Sequence, residues 1–127
     1  MELLEKDLVY RVVGCALEVH NILGHGFREK TYERALCVEM RLQGIAHSKQ
    51  GIFPVLYKGE TVDEFVPDLL VENRLILELK TADAIIDDFR GQILNYLKVT
   101  GLKVGLILNF RHAKLEWERL VRDTPTP

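Results

Sequence analysis

The chain predicts an α/β fold of the α+β kind, a mixed β-sheet with helices packed on it. Two segments near the start carry apolar residues at helical spacing. The apolar period then changes to a strand-like one near residue 51. The elements after that change run as three strands, a helix and two strands. With 127 residues, 47% apolar and 28% charged, the chain reads as a single domain that can bury its own core. That domain is expected over residues 1–122, with residues 123–127 as a flexible tail.

Residues 3–23 form the first predicted helix, with Leu4, Leu8, Val12, Val13, Ala16, Leu17 and His20 recurring at its spacing. Gly24-His25-Gly26 supplies the backbone freedom of a C-cap and sharp turn. A second helix over 27–43 packs through Tyr32, Ala35, Leu36, Val38, Met40 and Leu42, and Gly44 ends it. Residues 51–57 read as a strand that Lys58-Gly59-Glu60 turns back. Residues 61–71 read as a second strand, bent or bulged because it is long and holds Pro67; residues 75–81 are a third. Asp83 caps a helical turn or the start of a helix over 87–100, packed by Phe89, Ile93, Leu94, Tyr96 and Leu97. Beyond Gly101, residues 103–110 form a buried strand and 114–121 a short last one.

Composition excludes several classes. No apolar run approaches the roughly 20 residues of a membrane span, and the acidic start through Asp7 lacks a signal-peptide layout, so a cytoplasmic protein is expected. Cys15 and Cys37 fall on apolar helical positions and read as reduced core residues. No Cys/His set suggests zinc, and no Ser or Cys sits in a nucleophile motif. A net charge of −2 argues against strong, indiscriminate nucleic-acid binding. It leaves room for a local basic groove, for which Lys98, Lys103, Arg111, Lys114, Arg119 and Arg122 are available.

The most informative stretch is Val66-Pro67-Asp68-Leu69-Leu70-Val71-Glu72-Asn73-Arg74-Leu75-Ile76-Leu77-Glu78-Leu79-Lys80, where charges sit inside apolar strands. Such charges persist when paired, hydrated or metal-bound. Asn73 tolerates the left-handed backbone at the centre of a three-residue hairpin loop. Val71 then pairs with Leu75, and Asp68 falls opposite Glu78, about 5 Å away at Cβ. Lys80 shares the face of Glu78, whereas Leu77 and Leu79 point the other way. A one-residue slip would scatter the three. Two carboxylates so close repel unless a cation intervenes. Asp68 and Glu78, with the Leu79 carbonyl, could thus hold Mg²⁺ (or Mn²⁺), and Lys80 could orient or deprotonate an attacking water or steady a phosphate. The alternative reading is a structural lysine–carboxylate cluster at a strand end.

Two helical residues add to the set. Glu29 precedes Tyr32 and Leu36 by one and two turns, on the flank of the packing face, and Gln92 lies beside Ile93 on the side of Tyr96. Their plainer roles are a favourable charge at a helix start and a surface amide. His20 reads as a structural histidine near its helix end. Tyr32 and Tyr96 read as packing residues that fix Glu29 and Gln92. Trp117 is either core or a partner contact.

Gly26-Phe27-Arg28-Glu29-Lys30-Thr31-Tyr32 has the form G-x-x-E-x-x-Y. With Leu23-Gly24-His25-Gly26, Tyr57-Lys58-Gly59, Glu78-Leu79-Lys80, Gln92-Ile93-Leu94-Asn95-Tyr96-Leu97 and Leu108-Asn109-Phe110, it closely resembles the GxxExxY family of the PD-(D/E)XK nuclease-like superfamily. Pro67-Asp68 resembles the Pro-Asp element of that superfamily and Glu78-Leu79-Lys80 its Glu-x-Lys element. Glu29 resembles the acid that touches metal directly or through water, and Gln92 the glutamine of the following helix. The resemblance implies a restriction-endonuclease-like core of helix, three antiparallel strands, helix and strand, preceded by an extra N-terminal helix. Together with the expected convergence of Asp68, Glu78, Lys80, Glu29 and Gln92, it leads to the expectation of a Mg-dependent nuclease acting on DNA, with specificity from loops, from a homodimer, since each site makes one cut, or from a protein partner. A catalytically silent binding or assembly module in a larger nucleic-acid-processing complex is the alternative, and a small-molecule metal hydrolase a third.

Overall fold

The computed structural model describes residues 5–49 and 51–122. Helices α1 (Lys6–Leu23) and α2 (Glu29–Leu42) come first, followed by a two-residue strand, β1 (His47–Ser48). Then come β2 (Phe53–Tyr57), β3 (Glu60–Phe65), β4 (Leu69–Val71) and β5 (Leu75–Lys80). Helix α3 (Asp87–Thr100), β6 (Val104–Asn109) and β7 (Glu116–Val121) complete the chain. Five strands form one mixed sheet in the order β1-β4-β5-β6-β7, and β2 pairs only with β3. In the large sheet β5 runs parallel to β6 across the α3 crossover, and the other pairs are antiparallel. The α+β mixed sheet is as expected. Residues 1–4 and 123–127 lie outside the described residues, and with them the expected packing residue Leu4 and the expected tail.

The sheet separates two apolar layers. Leu75, Leu77 and Leu79 of β5 join Val104, Leu106 and Leu108 of β6 against Val12, Ala16, Leu36 and Met40 of α1 and α2. Ile76 and Ile107 face the other way, onto Ile93 and Leu97 of α3 and Phe65 of β3. Both central strands are therefore covered on two faces, which is why they read as nearly continuous apolar runs. At Gly105 a Cβ would lie 2.7 Å from the Ile93 Cγ2, so glycine lets α3 settle closely on β6.

The long strand expected over 61–71 is instead two strands in two sheets. Chain pairing stops at Phe65 and resumes at Leu69, with Val66, Pro67 and Asp68 between them. Proline offers no N–H to a ladder and restrains the residue before it, so the chain crosses from one sheet to the other there. The three strands expected between the second and third helices accordingly do not make one antiparallel meander. The β2–β3 hairpin packs on the α3 side through Phe53, Val55 and Phe65. Its two-residue turn has Lys58 at φ 51 and Gly59 at φ 85, left-handed at both positions as right-twisted hairpins prefer.

Smaller differences share one cause: apolar spacing marks a face, not its width. Leu17, Val38, Leu42 and Leu94, expected to pack, are exposed. β1 has no apolar pattern to betray it. It exists because its residues His47 and Ser48 pair with Val71 and Leu70 at the edge of the sheet. Asp83 does not cap α3, whose N-cap is Ile86; it lies 3.5 Å from Arg111 instead.

Candidate active site

The β4–β5 hairpin has the register its turn chemistry demands. Val71 pairs with Leu75, Leu70 with Ile76 and Leu69 with Leu77. Glu72 and Asn73 hold left-handed backbone at φ 53 and 56, and Arg74 N–H closes the loop on the Val71 carbonyl at 3.0 Å. Glu72 also clamps the neighbouring segment: its N–H donates to the Ala46 carbonyl, and its Oε1 accepts the Ala46 N–H.

One step beyond the last β4–β5 pair, Asp68 comes opposite Glu78. Asp68 Oδ2 accepts the Leu79 N–H at 2.9 Å, which fixes its carboxylate beside the strand. Glu78 is buried at 8% exposure, and its Oε1 has no hydrogen-bond partner among the described residues. Burial, then the Asp68 charge and a hydrogen bond shared with Asp68, push the Glu78 carboxyl up to about 8; Lys80 opposes this only in part. Lys80 lies on the same face by strand alternation, with Nζ 4.5 Å from the Phe89 ring centroid on α3.

Helix α3 roofs this spot with Phe89, Gln92 and Tyr96, which share a face at helical spacing. Gln92 is exposed, and its amide is close enough to the Tyr96 hydroxyl to favour the ionised form slightly. The Tyr96 ring stacks on Phe65 with centroids 3.5 Å apart. Burial first, then the charges of Glu78 and Asp68, raise the Tyr96 hydroxyl, so it stands in their field.

Glu29 is placed differently. It begins α2, which packs on the opposite face of the sheet, and its Oε2 accepts a long 3.5 Å bond from the Thr81 hydroxyl just past β5. Among the described residues no three His, Cys, Asp or Glu side chains gather as a group able to hold a metal. The structure thus brings Asp68 and Glu78 together with Lys80 on their face, sets Gln92 on the roof and leaves Glu29 at the sheet end.

A hard cation fits the pair. Two close carboxylates with a buried, unpartnered oxygen make a site short of positive charge, and Mg²⁺ commonly takes one or two carboxylates, keeping waters and phosphate oxygens for the rest.

Asn109 was not among the expected site residues. It is fully buried at the end of β6, where Oδ1 accepts the Ala82 N–H and Nδ2 donates to the Ala82 carbonyl and to Glu116. This ties down the segment that follows Lys80. The signal was an amide at the end of a wholly apolar strand. His20 is structural as expected: it is buried, bonded through Nε2 to the His112 carbonyl at 2.8 Å and stacked on Phe110. Tyr32 holds the Gly24–Phe27 turn through its hydroxyl and stacks on Phe110. Trp117 is 40% exposed and is no core residue.

A central mixed sheet with a carboxylate pair and a lysine at the mouth of one hairpin is the arrangement of a nuclease-like fold. The sequence matches the family model of the PD-(D/E)XK nuclease superfamily over residues 6–120, and the chain belongs to that superfamily. Among solved structures it is similar to an alkaline exonuclease (LHK-Exo) from Laribacter hongkongensis. The TM-score is 0.50 at 13% identity, with 85% of this chain and 76% of that one covered; at such identity the likeness is one of fold. No curated protein matches the sequence. Membership of the superfamily supports a nuclease function and a nucleic-acid substrate. None of the helices is long and apolar enough to cross a membrane, among the described residues.

Proposed function

We propose that this chain is a metal-dependent nuclease of the GxxExxY group that hydrolyses phosphodiester bonds in DNA. The observation that carries the reading is the Asp68–Glu78 pair, one member buried with its carboxyl pushed up to about 8. A group held so far from its ordinary range by burial and a specific charge partner is a functional-site candidate.

Asp68 and Glu78 would hold Mg²⁺ or Mn²⁺, with the Leu79 carbonyl as a further oxygen and Glu29 acting through water. Bound there, the ion would acidify a water and neutralise charge building on the phosphate. Lys80 presents its ammonium donors to the attacking water or to the phosphate oxygens. Gln92, braced by Tyr96, orients the same groups with its amide. Phe89 keeps the Lys80 stem in place and sheds water from one side of the site. One chain holds one such site, so cutting both strands of a duplex calls for a second copy or a partner protein; gel filtration checks the former.

The test is cleavage of single-stranded, duplex and branched DNA, with RNA alongside, in Mg²⁺ or Mn²⁺. Asp68→Asn and Lys80→Ala should lower the rate by about 10²–10⁴ while the fold is retained. Intact substrates with every metal, together with retained binding, would sink the enzymatic reading and leave the silent module, which the net charge of −2 favours.

A further inference from the structure

The two-stranded β2–β3 sheet leads through Val66 and Pro67 directly into Asp68, so its Phe65 end adjoins the carboxylate pair. Between β2 and α3 runs a groove of about 590 Å³ lined by Pro54, Val55, Leu56, Asn95, Tyr96 and Lys98 along with Val99. Tyr96 is wall to both places: it borders the groove and stands in the field of Asp68 and Glu78. The hairpin is unusually apolar where it meets solvent, with Leu56, Tyr57 and Val62 each about 60% exposed. Lys98 is exposed on the groove wall, and at the hairpin tip Lys58 lies 5.5 Å from the Tyr57 ring centroid.

We propose that this groove is a subsite for the unpaired bases of a single-stranded segment of the substrate, beside the bond to be cut. The inference rests on the nuclease reading above and names its substrate class. Apolar walls with the Tyr96 ring among them and Lys98 at the edge suit a single strand, whose bases offer flat apolar faces and whose backbone offers phosphates. A duplex suits it badly, since its bases are already stacked. An apolar segment of a protein would match the walls and leave Lys98 without a role. Specificity for unpaired ends, flaps or gaps would then reside in the chain itself.

Fluorescence anisotropy with an oligothymidylate of about 20 nucleotides and a duplex of equal length tests this, in an Asp68→Asn background so that nothing is cut. Leu56→Asp and Lys98→Glu should each weaken the single strand about tenfold and the duplex less than about twofold. Ile22→Asp, an equally drastic change at an exposed α1 residue, should alter neither; circular dichroism confirms that every variant is folded. Unchanged single-strand affinity in both groove variants overturns the proposal, as does an equal loss for both ligands. If the native chain cleaves DNA but Leu56→Asp keeps its single-strand affinity, only the groove assignment fails. If the native chain cleaves nothing while Leu56→Asp still loses the single strand, only the nuclease reading fails.

Discussion

Replacing Glu78 by glutamine should stabilise the metal-free protein at alkaline pH while abolishing cleavage. Glu78 has its carboxyl displaced from 4.5 to about 8 by burial and by Asp68. The folded state therefore binds this proton more tightly than the unfolded chain. The resulting stability is complete below about pH 4.5 and is lost as pH rises through about 8. At 1.36 kcal/mol per pH unit the displacement caps the loss at about 5 kcal/mol, and water entry around a charged Glu78 brings it to about 1–3 kcal/mol. Glutamine keeps the shape, carries no charge and can donate to Asp68, so it escapes the loss. Urea unfolding with chelator present, at pH 5.5 and pH 8.5, reads both proteins. The native chain should lose about 1–3 kcal/mol between the two conditions, with an unchanged m-value, and Glu78→Gln should lose clearly less. Parallel pH dependences, or a variant less stable than the native chain at pH 8.5, would show that Glu78 is not the strained group described here.

The same pair makes metal binding proton-linked. The rise in Tm on adding Mg²⁺ or Mn²⁺ should grow from pH 6 to pH 8.5 and vanish with chelator or in Asp68→Asn; a pH-independent shift would place the ion elsewhere. Asn109→Ala leaves the Ala82 N–H and carbonyl without their buried partner, so it should cost about 2 kcal/mol in denaturant unfolding and lower kcat by loosening the segment after Lys80. Gly105→Ala puts a methyl 2.7 Å from the Ile93 Cγ2 in a packed layer and should cost about 1–3 kcal/mol; a neutral outcome would mean that α3 shifts freely on the sheet.

The β4–β5 hairpin was legible in the sequence because everything that sets its register is local. Asn73 between two apolar runs dictates a three-residue loop, Val71 must then meet Leu75, and alternation carries the count out to Asp68 and Glu78. The apolar density of residues 103–110 likewise announced a strand covered on both faces, and β6 is buried along its whole length. Helices α1 and α2 were visible by period, though Leu17, Val38 and Leu42 showed that period overstates how wide the buried face is.

Sequence alone therefore determined the helices, most of the strands and the one short-range juxtaposition on which the site is built, since strand alternation and turn chemistry act over a handful of residues. Only the tertiary structure decided that residues 61–71 divide between two sheets at Pro67, that Glu29 reaches the sheet from the face opposite Glu78, and that Tyr96 borders both the carboxylates and a groove. Each of those depends on which distant segment takes up a strand edge or covers an apolar face. That choice is made by long-range pairing and burial, which leave no local periodicity to read.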